Sequence, residues 1–120
     1  MLNLDTHILL NAVAGSLRPR ERHLLGSQPW SISAIVLWEI AKLAELGRIE
    51  VDLPSREVTR VICRLHLWPL TLDVCRAIAS LDFDSDPADE IIAATSVVER
   101  VPLLTRDGRM RRSTVVPLAR

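Results

Sequence analysis

Short apolar runs alternate with helix-periodic stretches along the whole chain. Residues 1–4 are apolar and brief enough for a buried strand, which Asp5 and Thr6 end. Residues 7–14 carry Leu9, Leu10 and Val13 at helical spacing, and Gly15 stops them. A second short helix is predicted over 19–25, stopped by Gly26, and a strand over 30–32. Ser33 can cap a long helix over 34–46, closed by Gly47. After a connection over 48–54, Ser55 can cap a helix over 56–66. Pro69 restricts 67–72 to a short edge strand. A helix over 73–81 and an acidic turn over 82–85 follow. Asp86 suits a helix N-cap and Pro87 the first helical position, opening a small-residue helix over 87–100. Residues 102–105 read as a buried strand, 106–108 as a turn, and Val115-Val116 as a last strand.

Strands that are short and uniformly apolar, alternating with helices, predict an α/β fold with a parallel sheet covered on both faces. The 120 residues, 48% of them hydrophobic, suit one domain over 1–120 with a real core. There is no repeat, low-complexity segment or linker. No apolar run reaches membrane-spanning length, and no charged region leads into an apolar stretch and cleavage site. Cys63 and Cys75 lack metal-ligand spacing and read as reduced thiols, so the expected location is cytoplasmic.

In parallel sheets, ligands bind beyond the carboxyl ends of the strands. Asp5 follows the first predicted strand and Asp107 the strand 102–105. Asp89 falls in the first turn of the 87–100 helix, on the side of Ala93 and Ser96. Glu39 lies inside the apolar arc of its helix, between Ile35 and Leu43, and needs a partner there. Each acid has an ordinary structural account: a cap for Asp5, a turn for Asp107, dipole compensation for Asp89, an arginine partner for Glu39. Together they can face one strand edge. Two carboxylates about 4 Å apart repel by about 4 kcal/mol at an effective dielectric near 20. Four would require protonation or a cation, and an all-oxygen donor set suits Mg²⁺ or Mn²⁺ and not zinc.

The stretches Met1-Leu2-Asn3-Leu4-Asp5-Thr6-His7, Ser33 to Glu39, Asp86-Pro87-Ala88-Asp89 with Ile91-Ile92-Ala93-Ala94-Thr95, and Leu103-Leu104-Thr105-Arg106-Asp107 occur in that order. The ordered set resembles PIN-domain proteins of the VapC toxin type over nearly the whole chain. The resemblance implies a PIN-like α/β/α three-layer sandwich with a short, mainly parallel central sheet. It implies an Mg²⁺- or Mn²⁺-dependent endoribonuclease, the toxin of a type II toxin–antitoxin pair, with a cognate VapB-type antitoxin. The family's acids map onto Asp5, Glu39, Asp89 and Asp107 as metal ligands and catalytic residues. Thr105 matches the hydroxyl beside the last acid, and Thr6 the residue after the first. Asp86 begins the Asp-Pro motif and reads mainly as a cap.

Net charge is zero, which argues against binding polyanions by bulk charge. Among the 15 basic residues only Lys42 is a lysine, and Arg106, Arg109, Arg111 and Arg112 cluster near the C-terminus. Arginine's planar fork matches phosphate, so these four are candidates to guide an RNA backbone toward the acids; an arginine-rich genome would give the same composition without function. Trp38 lies away from the arc holding Glu39 and can mark a partner or homodimer surface, or a two-sided core helix. A haloacid-dehalogenase-like phosphatase needs a second aspartate where His7 stands, and a receiver domain needs a late lysine; neither fits. The alternative from another class is a non-catalytic PIN-fold module that binds RNA or protein, which the presence of all four acids disfavours.

Overall fold

The computed structural model describes residues 1–120. Four strands, β1 (Leu2–Leu4), β2 (Trp30–Ser33), β3 (His66–Trp68) and β4 (Leu103–Leu104), form one parallel sheet in the order β3-β2-β1-β4. Helices α1 (Thr6–Ala14), α2 (Pro19–Leu25), α3 (Ala34–Glu45), α4 (Arg56–Cys63), α5 (Leu72–Ala77), α6 (Pro87–Glu99) and α7 (Gly108–Arg111) flank it. A 3-10 turn over Ile78–Ser80 extends α5. This is the α/β/α arrangement expected from the alternation of apolar strands with helices.

The order has a functional consequence. From β1 the chain moves outward through β2 and β3, then returns to place β4 on the other side of β1. The strand order therefore reverses between β1 and β4, and ligands in parallel sheets bind at such a switch point, beyond the strands' carboxyl ends. Asp5 and Thr105 are the residues that leave those two strands.

Strands β1, β2 and β4 are largely buried, whereas the edge strand β3 is largely exposed. Leu2, Leu4, Ile32 and Leu103 are each 1% exposed or less and pack with Ile8, Val36 and Ile92 from the helices. The one polar side chain inserted among the β1 leucines, Asn3, is fully buried, and its amide donates to the carbonyl of Ile92 and to Ser96 Oγ, tying β1 to α6. Gly15 closes α1 with φ 72°, in the left-handed region, where a side chain would be strained.

Several boundaries differ from the expectation. Asp5 caps a helix that already begins at Thr6. Helix α4 stops at Cys63, and His66 belongs to the edge strand β3, which Pro69 terminates. Asp86 occupies the N-cap position of α6 but makes no side-chain capping bond; Glu90 Oε2 reaches back instead and accepts from the Ser85 amide at 3.3 Å. Val115-Val116 is not a strand. Ser113 Oγ accepts from both of their amides, at 3.1 and 3.0 Å, and withdraws them from the ladder. Pairing resumes beyond Pro117, where Leu118 bridges Leu103 and the Ala119 amide donates to the Leu103 carbonyl. The tail is also latched by Asp82, whose carboxylate accepts from Ser113 and Thr114 and is held below the usual aspartate range by those bonds.

No helix is long and apolar enough to cross a membrane. Cys63 and Cys75 are both free and exposed.

Candidate active site

Asp5 sits where β1 passes into α1 and is only 3% exposed. Its Oδ1 accepts from the Thr6 amide at 2.8 Å, the capping bond, and its Oδ2 accepts from the Thr105 hydroxyl at 2.7 Å. One carboxylate thus starts α1 and reaches across the switch point to β4. Burial raises its pKa above the usual aspartate range and the charge of Glu39 adds to the rise; the two hydrogen bonds and His7 oppose it.

Thr105 Oγ1 also accepts from the Asp107 amide at 3.0 Å, so one hydroxyl couples Asp5 to the backbone of Asp107. Asp107 caps α7 through Oδ1, which accepts from the amides of Arg109 and Met110 at 2.8 and 3.2 Å. The turn reading and the site reading of Asp107 therefore use different oxygens.

Glu39 is half-buried on α3, as its place in the apolar arc predicts. Its partner is not an arginine: the Thr6 hydroxyl donates to Oε1. Asp89, in the first turn of α6, receives the Ser85 hydroxyl on Oδ2 at 3.0 Å. Its pKa is pushed up to about 6, chiefly by burial and further by the charges of Asp5, Glu39 and Asp107, against the Ser85 bond. Asp89 therefore lies within the fields of the other three acids, which come from two further helix starts and one helix face.

No three of them converge tightly enough to hold an ion as they stand. The donor set fits a hard divalent cation in kind. Each acid is steered by a hydroxyl or an amide, while Glu39 Oε2, Asp89 Oδ1 and Asp107 Oδ2 have no protein donor. None of these three oxygens is a buried, unpartnered atom, so all remain reachable from solvent.

The arginines divide. Arg106 departs from the expected free phosphate contact: its Nε and Nη2 form a two-pronged pair with Glu21 at 2.8 and 2.7 Å, and Nη2 also donates to the Ser16 carbonyl. Arg109 rests one nitrogen on the Asp84 carbonyl at 3.2 Å. Arg111 is exposed on α7 and Arg112, its C-cap, is exposed as well, with its guanidinium lying over Gly108. The hydroxyl of Ser85 and the carboxylate of Glu21 escaped the sequence reading. Glu21 carried a signal, since an acid three residues after Arg18, with proline between, is placed to satisfy the first turn of a helix, and Glu21 Oε1 does accept from the Arg18 amide at 2.8 Å.

Residues 3–115 match the PIN domain family. The chain belongs to that family. It is 29% identical over 118 residues to "Ribonuclease VapC22" of Mycobacterium tuberculosis, covering 90% of this chain and 88% of that protein. Two solved structures share the fold. VapBC2 from Rickettsia felis, bound to a DNA fragment from the promoter, superposes with a TM-score of 0.75 at 17% identity over 99% of this chain and 98% of its counterpart. DNA-bound VapBC from Salmonella typhimurium superposes with a TM-score of 0.72 at 21% identity over 98% and 96%. In this PIN domain, Asp5 and Asp107 follow strands β1 and β4, Glu39 is bonded to the Thr6 hydroxyl beside Asp5, and Asp89 lies in the field of all three.

Proposed function

We propose that this PIN domain is a metal-dependent endoribonuclease and acts as the toxin of a type II toxin–antitoxin pair. The observation that carries the reading is Asp89: its carboxyl is raised to about 6 by burial and by three other acids at the switch point of a parallel sheet. A structural acid in a first helical turn has no reason to be surrounded by like charge. Similarity to a protein named as a ribonuclease supports the same reading.

Asp5, Glu39, Asp89 and Asp107 would hold Mg²⁺ or Mn²⁺. When bound, such an ion supplies a more acidic water and neutralises charge that develops on the phosphate. The chain's own residues set the stage. Thr105 orients Asp5 and the Asp107 backbone, Thr6 orients Glu39, and Ser85 orients Asp89. Hydroxyl and amide partners of this kind keep a donor set aimed before any substrate arrives.

A VapB-type antitoxin is the partner this function requires, since an unrestrained ribonuclease would damage its own cell. An open apolar groove of about 700 Å³ between α1, α3 and α4 offers it a seat, with Leu9, Val13, Trp30, Leu37, Val61 and Leu65 among its walls. We expect the antitoxin to place an arginine near the acids, where charge pairing favours it. Trp38, 55% exposed on α3, supports a homodimer surface away from Glu39.

The test is purified protein incubated with total RNA in Mg²⁺, in Mn²⁺ and in chelator. Cutting in metal that stops in chelator supports the reading. Undiminished cutting in chelator overturns the metal mechanism. Binding without cutting under all three conditions returns the chain to the non-catalytic alternative.

A further inference from the structure

Asn3 stands between the two leucines of β1 and is fully buried. Its amide group donates to the Ser96 hydroxyl at 2.9 Å and to the Ile92 carbonyl at 3.2 Å, both on α6. Ser96 is fully buried as well. The other end of the amide, Oδ1, is buried without a partner. A half-paired amide costs stability that an apolar side chain at the same place in the strand would not, so core packing does not account for it.

The place of the bond in the fold does. From Asn3, the chain runs two residues to Asp5, about 7 Å along the strand direction. From Ser96, α6 runs back seven residues to Asp89, about 10 Å along the axis and two turns, which returns to the same face of the helix. The two paths end near one another, since the charge of Asp5 acts on Asp89. The other buried residues of α6 are Ala88, Ile92, Ala93, Ala94 and Thr95, and the Thr95 hydroxyl bonds within the helix, to the Ile91 carbonyl. Apolar burial is non-directional, and a face rich in alanine has few side chains that lock into a neighbour. Such a face sets the depth of the helix on the sheet far better than its position along the sheet. Hydrogen bonds are directional and do not survive a slide.

We propose that Asn3 pins the register of α6 along β1, and that its bonds to Ser96 and Ile92 thereby set the separation of Asp89 from Asp5 that the metal ion requires. This rests on the ribonuclease reading and adds to it two positioning residues, Asn3 and Ser96, that touch neither metal nor RNA. They act through the elements that carry the acids: β1 leads into Asp5, and α6 begins with Asp89. Ser31 is the natural contrast. It pairs with Asn3 in the sheet and is fully buried, but its hydroxyl donates to the Leu2 carbonyl and makes no bond to α6.

The test compares the parent with Asn3→Val combined with Ser96→Ala, with Ser96→Ala alone, and with Ser31→Ala. Three quantities are read: the melting temperature in chelator, the Mg²⁺ dissociation constant by calorimetric titration, and kcat and KM for RNA cleavage. The double variant replaces both partners by apolar groups and should melt in chelator at the parent's temperature or above it. Its Mg²⁺ dissociation constant should nevertheless rise at least about tenfold and its kcat fall about 10–100-fold, the usual cost of disturbing what aims a metal ligand. KM should stay within about twofold, since no RNA contact is removed. Ser96→Ala, which deletes one hydroxyl and no bulk, should show the same two losses severalfold, and Ser31→Ala neither. A double variant with the parent's Mg²⁺ affinity and kcat overturns the proposal. Should the double variant melt lower, Ser96→Ala decides, and parent-like values there overturn it equally. Losses in Ser31→Ala as large as in Ser96→Ala would mark a general response of the core, and the pin fails. A parent that binds Mg²⁺ but cuts no RNA brings down the ribonuclease reading alone, and the affinity comparison still decides the pin. A parent that does not bind Mg²⁺ brings down both.

Discussion

Thr105 donates its hydroxyl to Oδ2 of Asp5 across 2.7 Å and 100 residues of chain, and with the same oxygen accepts the amide of Asp107. That single atom joins the two strands on either side of the switch point. Thr105→Val keeps the shape and removes both bonds. It should lower RNA cleavage by about 10–100-fold, the usual cost of losing a group that orients a metal ligand. Thr105→Ser keeps the hydroxyl and should stay within a few fold. Initial rates of the two variants decide it: a valine variant that cuts like the parent would leave Thr105 a packing residue.

The ion pair between Glu21 and Arg106 gives an acid-dependent stability term. Glu21 is lowered to about 2, first by the hydrogen bonds from Arg106. A group lowered in the folded state stabilises it fully above its unfolded pKa, near 4.3, and loses that contribution as pH falls toward 2. Arg106→Met leaves Glu21 buried and unpaired and should cost about 2 kcal/mol at pH 7. The deficit should shrink at pH 4, where Glu21 of the variant takes up a proton readily. Urea unfolding at both pH values checks this; a deficit that is constant or grows in acid would contradict the assignment.

The groove beneath α4 separates partner binding from catalysis. Val61 lines it and is absent from the acid site. Val61→Glu puts a charge where an apolar partner surface would be buried, a loss expected to exceed tenfold in affinity. The variant should still cut RNA in vitro and should escape neutralisation when expressed with the cognate antitoxin. Continued rescue of growth by the antitoxin would place its seat elsewhere.

How much of this was legible in the sequence varies by residue. The strands were readable because Leu2, Leu4, Leu103 and Leu104 lie in short runs that are mostly apolar, with Asn3 the polar exception, as a doubly covered sheet accommodates. Asp5 and Asp107 were placed at the sheet edge by their position after those runs. The last strand was misplaced because the decisive feature is a side chain: Ser113 captures the two amides that Val115 and Val116 would need for pairing. Apolar periodicity carries no sign of that. Glu39 was found as an acid on a buried arc, yet its partner was unreadable, because a threonine 33 residues earlier became its neighbour only through the β1–β2 pairing. Arg106 was misjudged for a like reason. An arginine near the C-terminus reads as a solvated cation until the fold brings Glu21, 85 residues earlier, against it.

Asp89 separates a structural acid from a site acid by the sign of its effects. Its carboxyl is raised to about 6, by burial first and by Asp5, Glu39 and Asp107 next. A group raised in the folded state favours folding fully below its unfolded pKa, near 3.9, and that contribution disappears as pH rises through about 6. Without metal, the parent should therefore lose stability between pH 4 and pH 7 relative to Asp89→Asn, which carries no titrating group there. At pH 7.5 in chelator the asparagine variant should melt as high as the parent or higher, because a buried like charge is gone. Mg²⁺ reverses the ranking, since a ligand stabilises only the state that binds it; at 100 times its dissociation constant the gain is about 2.7 kcal/mol, or roughly 10 °C for a chain of this size. The variant should show a smaller rise, and its cleavage should fall by orders of magnitude, because the position of the ion governs attack on the phosphate. Were Asp89 merely a helix-start acid, the signs would invert: the variant would melt lower in chelator by up to about 1 kcal/mol, keep the parent's Mg²⁺ shift and still cut RNA. Melting curves of both proteins at pH 4 and 7.5, with and without Mg²⁺, beside one cleavage assay, distinguish the two.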